Sequence, residues 1–149
     1  MMSSPKGTIL LLGGTGKVSS RIVPLLSTAG YSTLLASRSG TSPALPDVSG
    51  VKFDWDNPST YSAPFSHNIS AIFLVGPPII EMYDPMKTFI DLAVRKGVKR
   101  FVLLSASLLD VADGPAMSRV SKYLSEGVEE WAVLRPTWFM GTLPLTVWK

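Results

Sequence analysis

The chain has 149 residues, 46% of them hydrophobic, with 12 glycines, 12 prolines and no cysteine. One core can close over that length, so 1–149 reads as a single domain, and collagen, coiled coil and disordered tail are excluded. Without cysteine there is no disulfide, thiol nucleophile or Cys-type zinc site; with His67 as the one histidine, a multi-histidine metal centre is excluded too, and no metal is expected. The net charge of +3, from 14 Lys and Arg against 11 Asp and Glu, is mostly dispersed, which argues against a nucleic-acid partner.

The opening Met1 to Gly7 leads into only five apolar-run residues, Thr8 to Leu12, before two glycines. No apolar run approaches the roughly 20 residues of a membrane span, so neither leader nor membrane partner is expected, and the expected location is cytoplasmic. Four more unalternating apolar runs follow: Tyr31 to Ala36, Ala71 to Val75, Phe101 to Leu104 and Trp131 to Leu134, with Val51 to Asp54 as a weaker sixth. Strands without alternation are buried on both faces, as in a parallel sheet covered by helices.

Helical period separates several of these runs. Val18, Ile22, Leu25 and Leu26 fall on one face of a helix over Lys17 to Thr28, ending at Gly30. Met86, Phe89, Ile90 and Ala93 mark a second, with Asp84 placed to cap it and Pro85 at its first position. It closes with Arg95 and Lys96 in its last turn and Gly97 as the stop, before Lys99 and Arg100. A third runs from about Pro115 to Glu126, with Met117, Val120 and Leu124 on one side. From Ser37 to Gly50, nine of 14 residues are Ser, Gly, Pro or Thr, so that crossover is expected to be a loop. The expected fold is therefore α/β, a Rossmann-like doubly wound parallel sheet of six strands in the order 3-2-1-4-5-6.

Leu12-Gly13-Gly14-Thr15-Gly16-Lys17-Val18-Ser19 joins the first strand to the first helix, the setting a dinucleotide fingerprint requires. Gly13 permits the tight turn, and Gly16 leaves room for a pyrophosphate. The N–H groups of Gly16, Lys17 and Val18 are expected to point at that anion, with Ser19 small enough for the helix to lie close to the strand. No Asp or Glu occurs before Asp47, and the end of the second strand reads Ser37-Arg38-Ser39, where an NAD site would carry a carboxylate. Arg38 can fork onto a 2′-phosphate, with the neighbouring hydroxyls as donors and nothing nearby in sequence to repel the charge, so NADP(H) is the expected cofactor. The alternative is a solvated loop arginine, which leaves the cofactor open. Asp54 and Trp55 are expected beside the adenine, and Gly76 and Pro77 over the ribose and nicotinamide end. Trp55 serves equally well as plain core.

The glycine loop, Ser37-Arg38-Ser39, Phe73-Leu74-Val75-Gly76-Pro77-Pro78, Gly97 to Ser107 and Trp131 to Met140 together resemble the NmrA-like atypical short-chain dehydrogenases. They are most similar to the fungal festuclavine and agroclavine dehydrogenases of ergot alkaloid biosynthesis, over about residues 7 to 140. The glycine loop marks only the superfamily; the last two stretches are more specific. The resemblance implies NADP(H)-dependent reduction of a small-molecule iminium intermediate to a clavine alkaloid. The superfamily's Tyr-x-x-x-Lys pair is missing, since Tyr123 is followed four residues later by Gly127. Reducing a carbonyl without an acid leaves an unstabilised alkoxide, whereas an iminium takes hydride at carbon and becomes a neutral amine. Ser105, Ser107 and Tyr123 are the polar groups expected nearest the reacting pocket, each with a bland alternative as a turn, cap or packing residue; no catalytic residue is assigned.

Family members continue well past Trp138-Phe139-Met140, where this chain runs Gly141 to Lys149. The expectation is a cofactor half without most of the substrate half, its apolar surface covered by a second copy or by a related full-length subunit. The competing reading is an NmrA-like regulator that senses a dinucleotide without turnover. Pro24, inside the first helix, is a second departure; it removes a hydrogen-bond donor and crowds the Ser20 carbonyl.

Overall fold

A computed structural model describes residues 7–13, 16, 18–77, 79, 81–105 and 117–134. The elements are β1 (Thr8–Leu12), α1 (Ser19–Thr28), β2 (Ser32–Ser37), β3 (Val48–Lys52), β4 (Ile69–Leu74), α2 (Tyr83–Arg95), β5 (Arg100–Leu104), α3 (Met117–Gly127) and β6 (Glu130–Leu134). Two short 3-10 turns, Pro58–Thr60 and Ala63–Ser66, lie between β3 and β4. The six strands form one sheet in the order β3-β2-β1-β4-β5-β6, every pairing parallel. This is the Rossmann-like topology expected from the unalternating runs. Among the described residues no helix is long and apolar enough to cross a membrane.

The strand faces are filled unequally. Leu10, Leu12, Leu34, Ala36, Ile72, Leu74, Phe101 and Leu103 face α2 and α3, where Met86, Phe89, Ile90, Ala93, Val120 and Leu124 complete the main core. Leu11, Leu35 and Phe73 face α1, which contributes Val23 to a much smaller cluster. Burial of this apolar surface is the dominant stabilising term, at roughly 25 cal/mol per Å².

Four expectations need correction. Val51 to Asp54 was too late: β3 starts at Val48, because main-chain pairing of Thr33 with Val48 and of Leu35 with Gly50 draws weak strand formers into the sheet. Trp131 to Leu134 reads as a run buried on both faces, yet among the described residues β6 is the last strand of the sheet, with Trp131 40% and Leu134 46% exposed. Leu25 is not on the buried face of α1 but 71% exposed. At 3.6 residues per turn it lies about 120° round the helix from Ser19, which fixes the contact line by donating its buried hydroxyl to the Leu12 carbonyl at 2.8 Å. Asp84 does not cap α2: Met82 precedes the helix without a side-chain cap, and Asp84 lies in the first turn, where its charge suits the dipole. Pro85 is then the third residue, still among the four whose N–H groups have no helical partner.

The other end of α2 is as expected. Gly97 donates its N–H to the Val94 carbonyl at 3.0 Å and Val98 donates to Ala93 at 3.1 Å, the two bonds of a Schellman stop. Of the four cations there, Arg95 ends the helix, while Lys99 and Arg100 pair with Glu129 (3.6 Å) and Glu130 (2.6 Å), tying β5 to β6. Pro24 lies within α1, exposed, with the Thr28 hydroxyl donating to its carbonyl at 2.9 Å. Pro115 and the Met117 side chain lie outside the described residues.

Candidate functional site

Parallel pairing brings the carboxyl ends of β1, β2, β3 and β4 to one edge, and the order reverses between β1 and β4. At that switch point, where open α/β sheets bind ligands, lies a cleft of about 350 Å³ lined by Gly13, Gly16, Ala36, Ser37, Arg38, Phe53, Asp54, Trp55, Asp56, Val75, Gly76, Pro77 and Ile79. Seven of the expected cofactor contacts, Gly13, Gly16, Arg38, Asp54, Trp55, Gly76 and Pro77, therefore share one cavity. Val18 sits just outside it as the residue preceding α1. Thr15 and Lys17 lie outside the described residues.

Gly13 has φ +62°, a backbone region that glycine enters without strain. Its carbonyl accepts the Gly16 N–H at 2.7 Å. That bond corrects the expectation for Gly16: its N–H closes the turn rather than pointing at an anion. A Cβ on Gly16 would stand 3.0 Å from the same carbonyl, so the missing side chain keeps the turn tight as well as the cleft open.

Arg38 is exposed and makes no hydrogen bond or ion pair to any described residue. The hydroxyls beside it are more committed. Ser37 Oγ accepts the Gly40 N–H at 3.1 Å and lies 3.3 Å from Ser39 Oγ, which bonds Thr41 Oγ1 at 2.9 Å. The surroundings are also less uniformly positive than the sequence implies. Asp54 and Asp56 line the same cleft, because pairing of Ser37 with Lys52 sets the ends of β2 and β3 side by side. Neither forms an ion pair with Arg38, and Asp54 Oδ1 accepts the Asp56 N–H at 2.9 Å.

Trp55 is both wall and brace. Its Nε1 donates to the Val75 carbonyl at 3.1 Å, joining the β3 side of the cleft to the β4 side. Behind it, Phe89 has ring centroids of Phe53, Trp55, Tyr61 and Phe65 within 5.2 to 5.9 Å. The Tyr61 hydroxyl donates to the Trp55 carbonyl at 2.7 Å. Burial, reinforced by the charges of Asp56 and Asp54, pushes the Tyr61 pKa up. Val75, Phe53, Asp56 and Ile79 are wall residues that the sequence pattern did not single out; adjacency to Asp54, Trp55 and Gly76 was the available signal.

Among the described residues, the polar groups expected near the reacting pocket do not line the cleft. Ser105 follows β5 and donates its N–H to the Leu134 carbonyl at 2.8 Å, and it is not among the cleft residues; Ser107 lies outside the described residues. Tyr123 does not face the cleft. Its hydroxyl donates to Asp91 on α2, with Lys87 bonded to the same carboxylate at 2.8 Å. That bond to Asp91, together with burial, raises the Tyr123 pKa above its ordinary 10.0, the reverse of what a primed proton donor needs. Burial works to raise the Asp91 carboxyl, but the bonds from Lys87 and Tyr123 outweigh it and hold it below 3.8. Tyr123→Phe is expected to lower stability by about 1 kcal/mol and to leave dinucleotide affinity unchanged; weakened binding in a titration would put the hydroxyl at the ligand instead. Because the folded-state pKa is raised, this contribution is full below the unfolded value and disappears as pH climbs through the folded one, which a urea series at alkaline pH reads out. Among the described residues no cluster of His, Cys, Asp and Glu could hold a metal ion.

No family model matches the chain. Festuclavine synthase II of Penicillium roqueforti is 45% identical over 144 residues, 91% of this chain and 49% of that protein. Agroclavine dehydrogenase of Claviceps fusiformis is 41% identical over 140 residues, 89% of this chain and 47% of its own length. Among solved structures, a nucleoside-diphosphate-sugar epimerase from Staphylococcus aureus shares the fold with a TM-score of 0.70 at 16% identity, covering 91% of this chain and 52% of that one. The Bordetella bronchiseptica enzyme WbmH, solved in complex with NAD+, has a TM-score of 0.62 at 16% identity, covering 87% and 55%. The chain spans about half the length of the curated relatives it matches, and over that span it is similar to the festuclavine synthases and agroclavine dehydrogenases.

Proposed function

We propose that the cleft at the β1/β4 switch point binds NADP(H) and that the protein serves the reduction of a clavine-type iminium. One observation carries the cofactor: Arg38, with no partner among the described residues, lines the same cavity as Gly13 and Gly16, the glycines that open and close the turn after β1. That turn and the Val18 N–H at the entrance to α1 would hold the pyrophosphate, with Thr15 and Lys17 completing the loop. Arg38 would take the 2′-phosphate as a fork donor. Asp54 and Trp55 would flank the adenine, and Gly76 and Pro77 would bound the ribose and nicotinamide end. When bound, the nicotinamide supplies hydride; the cleft wall at Gly76 and Pro77 would orient it.

Two facts support an iminium over a carbonyl. The relatives are festuclavine synthases and agroclavine dehydrogenases, and the Tyr123 hydroxyl is bonded away from the cleft, so it lends no acid to an alkoxide. The same bond also favours a second reading, a dinucleotide-sensing protein that performs no turnover. Titration with NADPH and NADH, followed by addition of an iminium substrate with and without a full-length relative, tests both. Tighter binding of NADPH and its oxidation only with the iminium are expected. NADPH bound but never oxidised selects the sensor, and binding of neither dinucleotide overturns the proposal.

A further inference from the structure

The loop from Arg38 to Asp47 carries the chain from β2 to β3 without a helix, and it crosses β3 at an unusually close contact. Gly50, which pairs with Leu35, lies against the Gly40 peptide: a Cβ on Gly50 would collide with the Gly40 carbonyl oxygen and stand 2.9 Å from both the Gly40 and Thr41 carbonyl carbons. The contact is tight from the other side as well. A Cβ on Gly40, at φ +71°, would meet the Lys52 main-chain nitrogen at 3.2 Å. All these atoms are main chain, so no rotamer change can relieve a clash.

The segment resting on this seat is a tightly bonded unit. Gly40 donates its N–H to the Ser37 carbonyl (3.3 Å) and hydroxyl (3.1 Å), and the hydroxyls of Ser37, Ser39 and Thr41 form a chain. Phe53 anchors its start by donating to the Ser37 carbonyl at 2.8 Å. Arg38 sits inside this unit and lines the cleft. We propose that Gly50 is a positioning residue for Arg38: by lacking a side chain it lets the Ser37–Thr41 turn seat on β3 and so aims the guanidinium at the 2′-phosphate. This rests on the NADP(H) reading and adds a specificity determinant that never touches the ligand.

Dissociation constants for NADPH and NADH, measured on the wild type, Gly50→Ala, Arg38→Ala and the double variant, test it. The wild type is expected to prefer NADPH. Gly50→Ala should reduce that preference about tenfold, the scale of a displaced charged hydrogen bond, with NADH affinity nearly unchanged because the Gly13–Gly16 turn is untouched. A merely structural role would weaken both dinucleotides together. Adding Gly50→Ala to Arg38→Ala should change nothing further, since both act through one guanidinium. If Gly50→Ala does not fold, Gly40→Ala loads the same contact from the loop side, and the same selective loss is expected. An unchanged NADPH/NADH ratio in the folded variant, or multiplicative losses in the double variant, overturns the role of Gly50 alone. A wild type without preference overturns the NADP(H) reading and this inference with it.

Discussion

Phe89→Ala is expected to lower the unfolding free energy by about 3–5 kcal/mol, the scale for truncating a fully buried aromatic. Phe89 has no exposed surface and, among the described residues, is the one ring in edge or tilted contact with Phe53, Trp55, Tyr61 and Phe65 alike. Its removal leaves a void between α2 and the β3–β4 connection, whose two short turns are too brief to collapse inward without breaking their own bonds. Set against a typical stability of about 5–15 kcal/mol, a change of that size leaves a protein that unfolds at much lower urea. Trp55 loses its backing too, so the brace to the Val75 carbonyl should loosen and cofactor affinity should fall with stability. An unfolding free energy from urea melts within about 0.5 kcal/mol of wild type would mean that the ring cluster carries little of the fold.

Arg38→Ala should weaken NADPH by about 1.5–3 kcal/mol, roughly ten- to a hundredfold, while leaving NADH close to its wild-type value. The side chain has no ion pair with a described residue to lose, so the change is expected to subtract from binding without an offsetting loss to the fold. Asp54 and Asp56 sharpen the expectation. With the guanidinium gone, a 2′-phosphate would enter a cleft whose nearest formal charges on the β3 side are negative, and like-charge repulsion adds to the missing attraction. The preference should therefore reverse rather than merely flatten. Tighter NADH binding in the wild type, indifferent to this substitution, would leave Arg38 as a solvated loop residue.

How far the sequence could be read depended on whether a property is local. The strand order follows from runs such as Leu10–Leu12 and Ile72–Leu74, whose lack of alternation records burial on both faces. The glycine turn is likewise local: the φ of Gly13 and the closeness of Gly16 depend on residues within the same short loop. Leu25 was misread because an apolar residue on the flank of a helix counts in the pattern even when the sheet meets another line, here Ser19 and Val23. β6 was misread because being an edge depends on neighbours, not on composition. The charge around Arg38 was the most consequential non-local feature: Asp54 is 16 residues away along the chain and enters the cleft only through β2–β3 pairing. The contact of Gly40 on Gly50 has no signature beyond two glycines in a loop-rich stretch.

The two sides of the sheet are unequal partners. Among the described residues, the layer under α2 and α3 buries rings and long aliphatic chains, while the layer under α1, which follows the glycine turn, rests on Leu11, Val23, Leu35 and Phe73. A dinucleotide lying along the mouth would touch β1, β2, β3 and β4 at once, lending the leaner layer cohesion that its own side chains do not provide. Occupancy and folding would then be linked through mass action: supply of the nucleotide would govern how long each molecule survives.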